Sequence, residues 1–203
     1  MFELANSWGD RYRGMLKGGL VSRHVIGIAV LVLGIVAAPI AAQDVRAAAD
    51  SARRLDSLAA TLRVWDRPTR ETRARAVRLW TEAAALYRRG GDRRREGDAL
   101  TQAGRGHSNR DTAAVYLQTA LQIAREVGDT AGIGRALLWI RPAGIPFDSM
   151  FALRREAARI ARQVGNRWGE SRAWAFYWLA NAHLQLGQRD SAEAYYREAV
   201  AVA

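Results

Sequence analysis

The chain has no cysteine among its 203 residues, so no disulfide can brace it and no thiolate can act as nucleophile or metal ligand. Packing has to supply the stability. Lysine is almost as scarce: Lys17 is the only one, and arginine provides the other 30 of the 31 basic side chains. Such a bias accords with a GC-rich genome. A nucleic-acid binder would mix the two cations, so nucleic acid is not the expected partner despite a formal net charge of +11. Prolines number only four, and β-branched, strand-like runs are missing outside the N-terminal region, which together point to an almost wholly helical chain.

Signatures of catalysis are missing as well. His107 and His183 lie far apart and neither has a histidine or glutamate three or four residues on, so no metal site is expected. Ser108 beside His107 has no orienting acid at hand, and no Gly-x-Ser-x-Gly occurs. Gly104 and Gly106 begin like a dinucleotide fingerprint, but residue 109 is Asn109 and no strand precedes them. Gly132 and Gly134 fail in the same way. No catalytic residue and no cofactor are therefore assigned, and an enzyme is not the expected class.

One long apolar run is present. Val25 to Ala42, "VIGIAVLVLGIVAAPIAA", is 18 residues long, follows Lys17 and Arg23, and ends in small residues before Gln43. This is the pattern of a secretory signal cut before Gln43. Its length is also close to the minimum for spanning a bilayer, so a membrane anchor over residues 25–42 is the alternative. Either way the remainder is expected to be exported, in the periplasm or cell envelope. Starting at Met15 instead of Met1 gives a better basic region, because Glu3 and Asp10 are then left out.

Beyond it the chain repeats itself. "EVGDTAGIGRAL" (Glu126 to Leu137) returns as "QVGNRWGESRAW" (Gln163 to Trp174), and a shift of 37 residues superposes Gly91-Asp92, Gly128-Asp129 and Gly165-Asn166. Asp111 to Leu137 against Asp148 to Trp174 gives ten identities in 27 positions, where composition alone gives roughly two or three. Each unit reads as helix, turn, helix, with a glycine where φ must be positive and an Asp or Asn beside it to start the next helix. Asp111-Thr112, Asp148-Ser149 and Asp190-Ser191 are expected to cap the second helix of each pair. Ala113, Ala120, Ala157, Ala192 and Ala199 allow close helix approach, and Leu117, Ile123, Ile160 and Tyr196 fill the grooves between axes.

The last unit, "FYWLANAHLQLGQRDSAEAYYREAV", resembles the tetratricopeptide repeat. Leu179 and Ala180 stand where that family has Leu-Gly, Gly187 where it has the inter-helix glycine, and Ala192, Tyr196 and Ala199 where it has Ala, an aromatic and Ala. His183 replaces the usual tyrosine and Phe176 the usual tryptophan. Upstream, Ala113, Leu117 and Ala120 keep the second-helix pattern, while the first helices are shortened at "GRGHSNR" and broken at "RPAGIP". The resemblance covers Arg73 to Ala203 and implies an all-α fold, a right-handed α-solenoid of helix-turn-helix repeats whose first helices line a concave, ligand-holding groove.

Residues 43–68 read as an N-terminal amphipathic helix: Ala48, Ala52, Leu55, Ala59 and Leu62 recur at alternating three and four, before a stop at Asp66-Arg67-Pro68. Residues 69–203 form the repeat array. The chain ends inside a second helix, so more repeats beyond Ala203 are expected, or self-association through that helix with Tyr195, Val200 and Val202 on an uncovered face.

Two constellations could bind a partner. Trp139, Trp174, Tyr177 and Trp178 fall on first helices, with Trp174, Tyr177 and Asn181 on one helical face. They either clamp a peptide or partner helix, with Asn181 holding its backbone, or form core between units. Asn181 matches the asparagine of the family's carboxylate-clamp repeats, but Tyr177 sits where those have lysine. The second constellation is basic: "RRGGDRRREGD" puts Arg88, Arg89, Arg93, Arg94 and Arg95 at one inter-helix turn. It is either a grip for an acidic partner or lipid head group, or a solvated helix end. The expected function is a non-catalytic interaction scaffold with a protein or peptide partner. The alternative is the regulatory or recruiting part of a larger enzyme whose catalytic domain lies beyond residue 203.

Overall fold

A computed structural model describes residues 43–62, 68–165 and 170–203. The expected signal or anchor over 25–42, the helix stop at Asp66-Arg67 and Asn166 lie outside the described residues. Among these, eight helices and no strand occur: α1 over 43–61, α2 Arg70–Arg89, α3 Arg93–Gly106, α4 Arg110–Glu126, α5 Thr130–Trp139, α6 Phe147–Val164, α7 Glu170–Gln185 and α8 Arg189–Ala201. None is long and apolar enough to cross a membrane.

From α2 onward each helix packs on the next, and α3, α5 and α7 also pack on one another in turn. That second set of contacts is what a row of two-helix units produces, because equivalent helices of neighbouring units become neighbours. The fold is an all-α helical-repeat solenoid, with α1, α3, α5 and α7 as the first helices and α2, α4, α6 and α8 as the second.

The 37-residue register reappears as burial. Ala120 and Ala157, Ile123 and Ile160, and Ala124 and Ala161 are equivalent pairs, and all six side chains are buried. On α1, Ala52 and Ala59 are fully buried while Leu55 and, just past the helix end, Leu62 pack at the core margin, so the apolar stripe read from the sequence faces inward. Small residues set how closely helices approach. A Cβ on Gly104 of α3 would lie 2.7 Å from Leu117 Cγ on α4, and Leu117 fills the space that glycine leaves. Each such buried Leu or Ile contributes roughly 1.5–3 kcal/mol, and no single unit could bury them alone.

The turns between units follow from glycine and aspartate together. After α2, the Asp92 N–H donates to Tyr87 O at 2.9 Å and the Gly91 N–H to Arg88 O at 3.1 Å, with Gly91 at φ +74°. After α4, Asp129 donates to Ala124 O at 2.8 Å and Gly128 to Arg125 O at 3.3 Å, with Gly128 at φ +67°. Both satisfy carbonyls that a helix end leaves open, and both need the left-handed residue that glycine supplies. Asp92 then caps α3, accepting from the Arg95 N–H at 3.1 Å.

The capping expected of Asp111, Asp148 and Asp190 is not what these residues do. Each sits within the first turn, where a negative charge suits the helix dipole, and the capping positions belong to Asn109, Pro146 and Gln188. Asn109 makes the capping bond itself, accepting from the Thr112 N–H at 2.9 Å. Asp111 is thereby released to accept from the Ala143 N–H at 3.3 Å, which ties the α5–α6 linker to α4.

Among the differences between unit three (α5 and α6) and unit two (α3 and α4), one pair of positions changes how the two helices pack. Shifting Gly104 and Leu117 by 37 residues gives Arg141 and Arg154. Where unit two has glycine packed on leucine, unit three has two arginines, a ten-residue α5 and a linker with Pro142 and Pro146. Arg154 is 4% exposed and donates to the Leu138 carbonyl oxygen in the last turn of α5.

Candidate functional site

The aromatic residues singled out in the sequence do come together. Trp139 closes α5 and Trp174 stands in the first turns of α7, with ring centroids 6.0 Å apart. Tyr177 meets Trp174 edge-on at 5.6 Å, and Trp178 lies 6.4 Å from Trp174 and 5.3 Å from Tyr177. Tyr196 of α8 extends the row, 5.8 Å from Tyr177.

Exposure divides α7 into two faces. Ala175, Phe176, Leu179 and Ala180 are buried, whereas Trp174 and Tyr177 are 38% and 39% exposed. Trp139 and Trp178 are half-buried beneath them. The core takes Phe176, at the position where the resemblance has tryptophan, and two larger rings remain at the surface. Surface aromatics of this kind bring contact area at low entropic cost on binding.

Asn181 lies on the same helix, one turn beyond Tyr177. Its Nδ2 donates to the Tyr177 carbonyl oxygen at 2.8 Å, so one amide hydrogen is used inside α7 and the group presents only its remaining capacity outward. His183 is occupied too: its ring stacks on Tyr195 at 5.1 Å, and Nδ1 lies 2.6 Å from Gln188 Oε1. At the last helix Val200 is 79% exposed, while Tyr195 and Val202 pack partly against the core.

The basic run around the α2–α3 turn is matched by acids. Glu96, fully buried, accepts from Arg88 Nε at 2.7 Å and from Arg93 at 2.5 Å. Arg93 also reaches Glu126 on α4 at 2.7 Å. Arg94 lies 3.3 Å from Asp129, and Arg95 lies 3.5 Å from Asp92. Arg89 is exposed. Burial alone would push the Asp129 carboxyl up, but the Gly132 backbone N–H, Arg94 and Arg135 together hold it below the ordinary carboxylate value. Arg135 of α5 bridges back to Asp98 of α3 at 2.5 Å. These charges fasten one unit to the next.

What sequence reasoning missed is a second set of arginines, spread along the chain and close to the tryptophans. Arg105 of α3 stacks over Trp139 with its Cζ 4.4 Å from the ring centroid. Arg141 and Arg154 approach Trp178 at 5.8 and 5.5 Å. Burial first, and the neighbouring Arg141 charge second, push the Arg154 guanidinium down to about 10. The signal was present in the 37-residue register, which sets Arg141 and Arg154 opposite Gly104 and Leu117. Among the described residues no cluster of three or more metal-ligating side chains occurs. No protein-family model matches the chain, and no curated protein is similar to it.

Proposed function

We propose that the chain is a non-catalytic interaction scaffold of the tetratricopeptide class, exported to the periplasm or cell envelope. Its ligand is an extended or helical protein segment that lies across α3, α5 and α7. The observation that carries this reading is the Trp139–Trp174–Tyr177 row. It bridges two units, continues into Arg105 through a cation–π contact, and leaves two large rings more than a third exposed. A partner would gain apolar contact from the rings and orientation from the arginines and from Asn181. Export rests on the composition of residues 15–42, and N-terminal sequencing of the mature protein tests it: a species beginning at Gln43 supports a cleaved signal.

The groove is tested by affinity capture from envelope extract, comparing the parent with Trp174→Ala plus Tyr177→Ala. Loss of one or more specific partners is expected. An identical set would remove the groove assignment. Both rings are partly exposed, so the double variant is expected to retain the helical circular dichroism of the parent. Phe176→Ala, which empties a fully buried site, is expected to cost about 3–5 kcal/mol.

A further inference from the structure

The arginines that crowd together in the sequence are not the ones the fold leaves uncompensated. Where α3 gives way to α4, Arg105, His107 and Arg110 line an open cavity of about 340 Å³, and Arg73 of α2 with Trp139 and Arg141 completes its wall. Four guanidinium-bearing side chains from four separate segments thus border one space, and among the described residues no carboxylate lines it. Arg73, Arg110 and Arg141 take part in none of the ion pairs among the described residues. Asp111, next to Arg110 in sequence, is committed to the Ala143 N–H.

Converging like charges raise the energy of a fold unless a counter-charge meets them. The same chain supplies such counter-charges at the α2–α3 turn, where Glu96, Glu126, Asp129 and Asp92 answer Arg88 and Arg93 to Arg95. Around this cavity the described residues supply none to Arg73, Arg110 or Arg141, and Arg154 lies behind the wall, buried and within the field of Arg141. The N-terminal end of α4, where Arg110 begins the helix, contributes further positive potential.

A single carboxylate would leave most of this charge unanswered and offers two oxygens in one plane. Guanidinium forks arriving from three separate segments, those of Arg73, Arg110 and Arg141, suit a tetrahedral oxyanion of higher charge. We propose that this cavity binds a small molecule carrying a pyrophosphate or longer phosphate chain, held by Arg73, Arg110 and Arg141 with Arg105 fixed against Trp139. The cavity shares Trp139 and Arg105 with the proposed peptide-binding face, but the assignment of its ligand does not rest on that reading.

The test is isothermal titration of the full chain with sodium pyrophosphate in physiological chloride. It compares the parent with Arg110→Ala plus Arg141→Ala and with a charge-matched control, Arg125→Ala plus Arg189→Ala, both exposed and elsewhere. Saturable binding at one site is expected, weakened about tenfold or more in the first variant and little changed in the second. No saturable heat, or equal weakening in both variants, would overturn the proposal. Vesicles containing phosphatidic acid separate a lipid head group from a free ligand. Capture on vesicles that pyrophosphate competes away is expected if the cavity is the contact, and capture without competition or pyrophosphate binding would overturn it. Thermal melts of each variant confirm that the comparison is between folded proteins.

Discussion

Arg154 donates a hydrogen bond to the carbonyl oxygen of Leu138, so a cation on the second helix of a unit closes the end of the first. This contact gives a buried charge something to do where no carboxylate among the described residues pairs with it. The last carbonyls of any helix lack partners and carry partial negative charge, and α5 ends early, at Trp139, inside the packed array. Leu117 at the equivalent place in the preceding unit has no such duty, because α3 continues past Gly104.

Burial of Arg154 nevertheless costs free energy. With its guanidinium pushed well below its ordinary value, to about 10, the charge destabilises the fold on the order of 3 kcal/mol at neutral pH. Arg154→Met, which keeps the volume and removes the charge, is expected to be at least as stable as the parent in urea unfolding at pH 7. The native state gives up this proton more readily than the unfolded chain, so parent stability rises relative to the variant as pH climbs through about 10. The gap between the two therefore closes there. A loss of about 2 kcal/mol or more in the variant at pH 7 would mean that the bond to Leu138 outweighs desolvation.

Close approach of α3 and α4 makes a second prediction. A Cβ at Gly104 would meet Leu117 Cγ at 2.7 Å and the Ala113 carbonyl oxygen at 3.0 Å, and Leu117 is 1% exposed with no room to swing. Gly104→Ala is expected to destabilise by about 1–3 kcal/mol. Gly97, two turns earlier on the same helix, has its nearest contact at 3.4 Å. There the helix-forming advantage of alanine offsets the crowding, and Gly97→Ala should fall within about 0.5 kcal/mol of the parent. Equal losses at both positions in chemical denaturation would show that glycine at 104 has nothing to do with helix spacing.

The repeat was legible because it is written in backbone needs. Gly91, Gly128 and Gly165 all adopt positive φ, and the Ala120, Ile123 and Ala124 triplet returns buried as Ala157, Ile160 and Ala161. The aromatic row was legible as well, since Trp174 and Tyr177 sit three apart on one helix. Charge was not. Arginine density pointed to residues 88–95, but pairing is a property of three dimensions, and the acids that answer these arginines include Glu126 and Asp129, more than thirty positions away. The capping aspartates were misplaced for a local reason: Asn109 and Asp111 both offer a short acceptor, and the helix takes the earlier one. The capped turn geometry that decides this is not in the spacing.

Asp129 ties these themes together, since it sits at the turn between units and answers two arginines from neighbouring first helices. It is 4% exposed, with Arg94 at 3.3 Å and Arg135 at 3.6 Å. Burial opposes its charge, yet the Gly132 N–H and the two guanidiniums prevail and hold its carboxyl below the usual value. Asp129→Asn keeps the size and removes the charge, and is expected to cost about 1–3 kcal/mol at neutral pH. The sign of the pH dependence follows from the lowered value. Above the ordinary carboxylate range the native ion contributes its full stability, and as pH falls below that range the unfolded chain takes up a proton that the native site still refuses. Parent and variant should therefore converge as pH drops from about 4 towards 2. A difference in unfolding free energy that stays constant from pH 7 down to acid would show that shape, rather than charge, is what Asp129 contributes at the junction of units two and three.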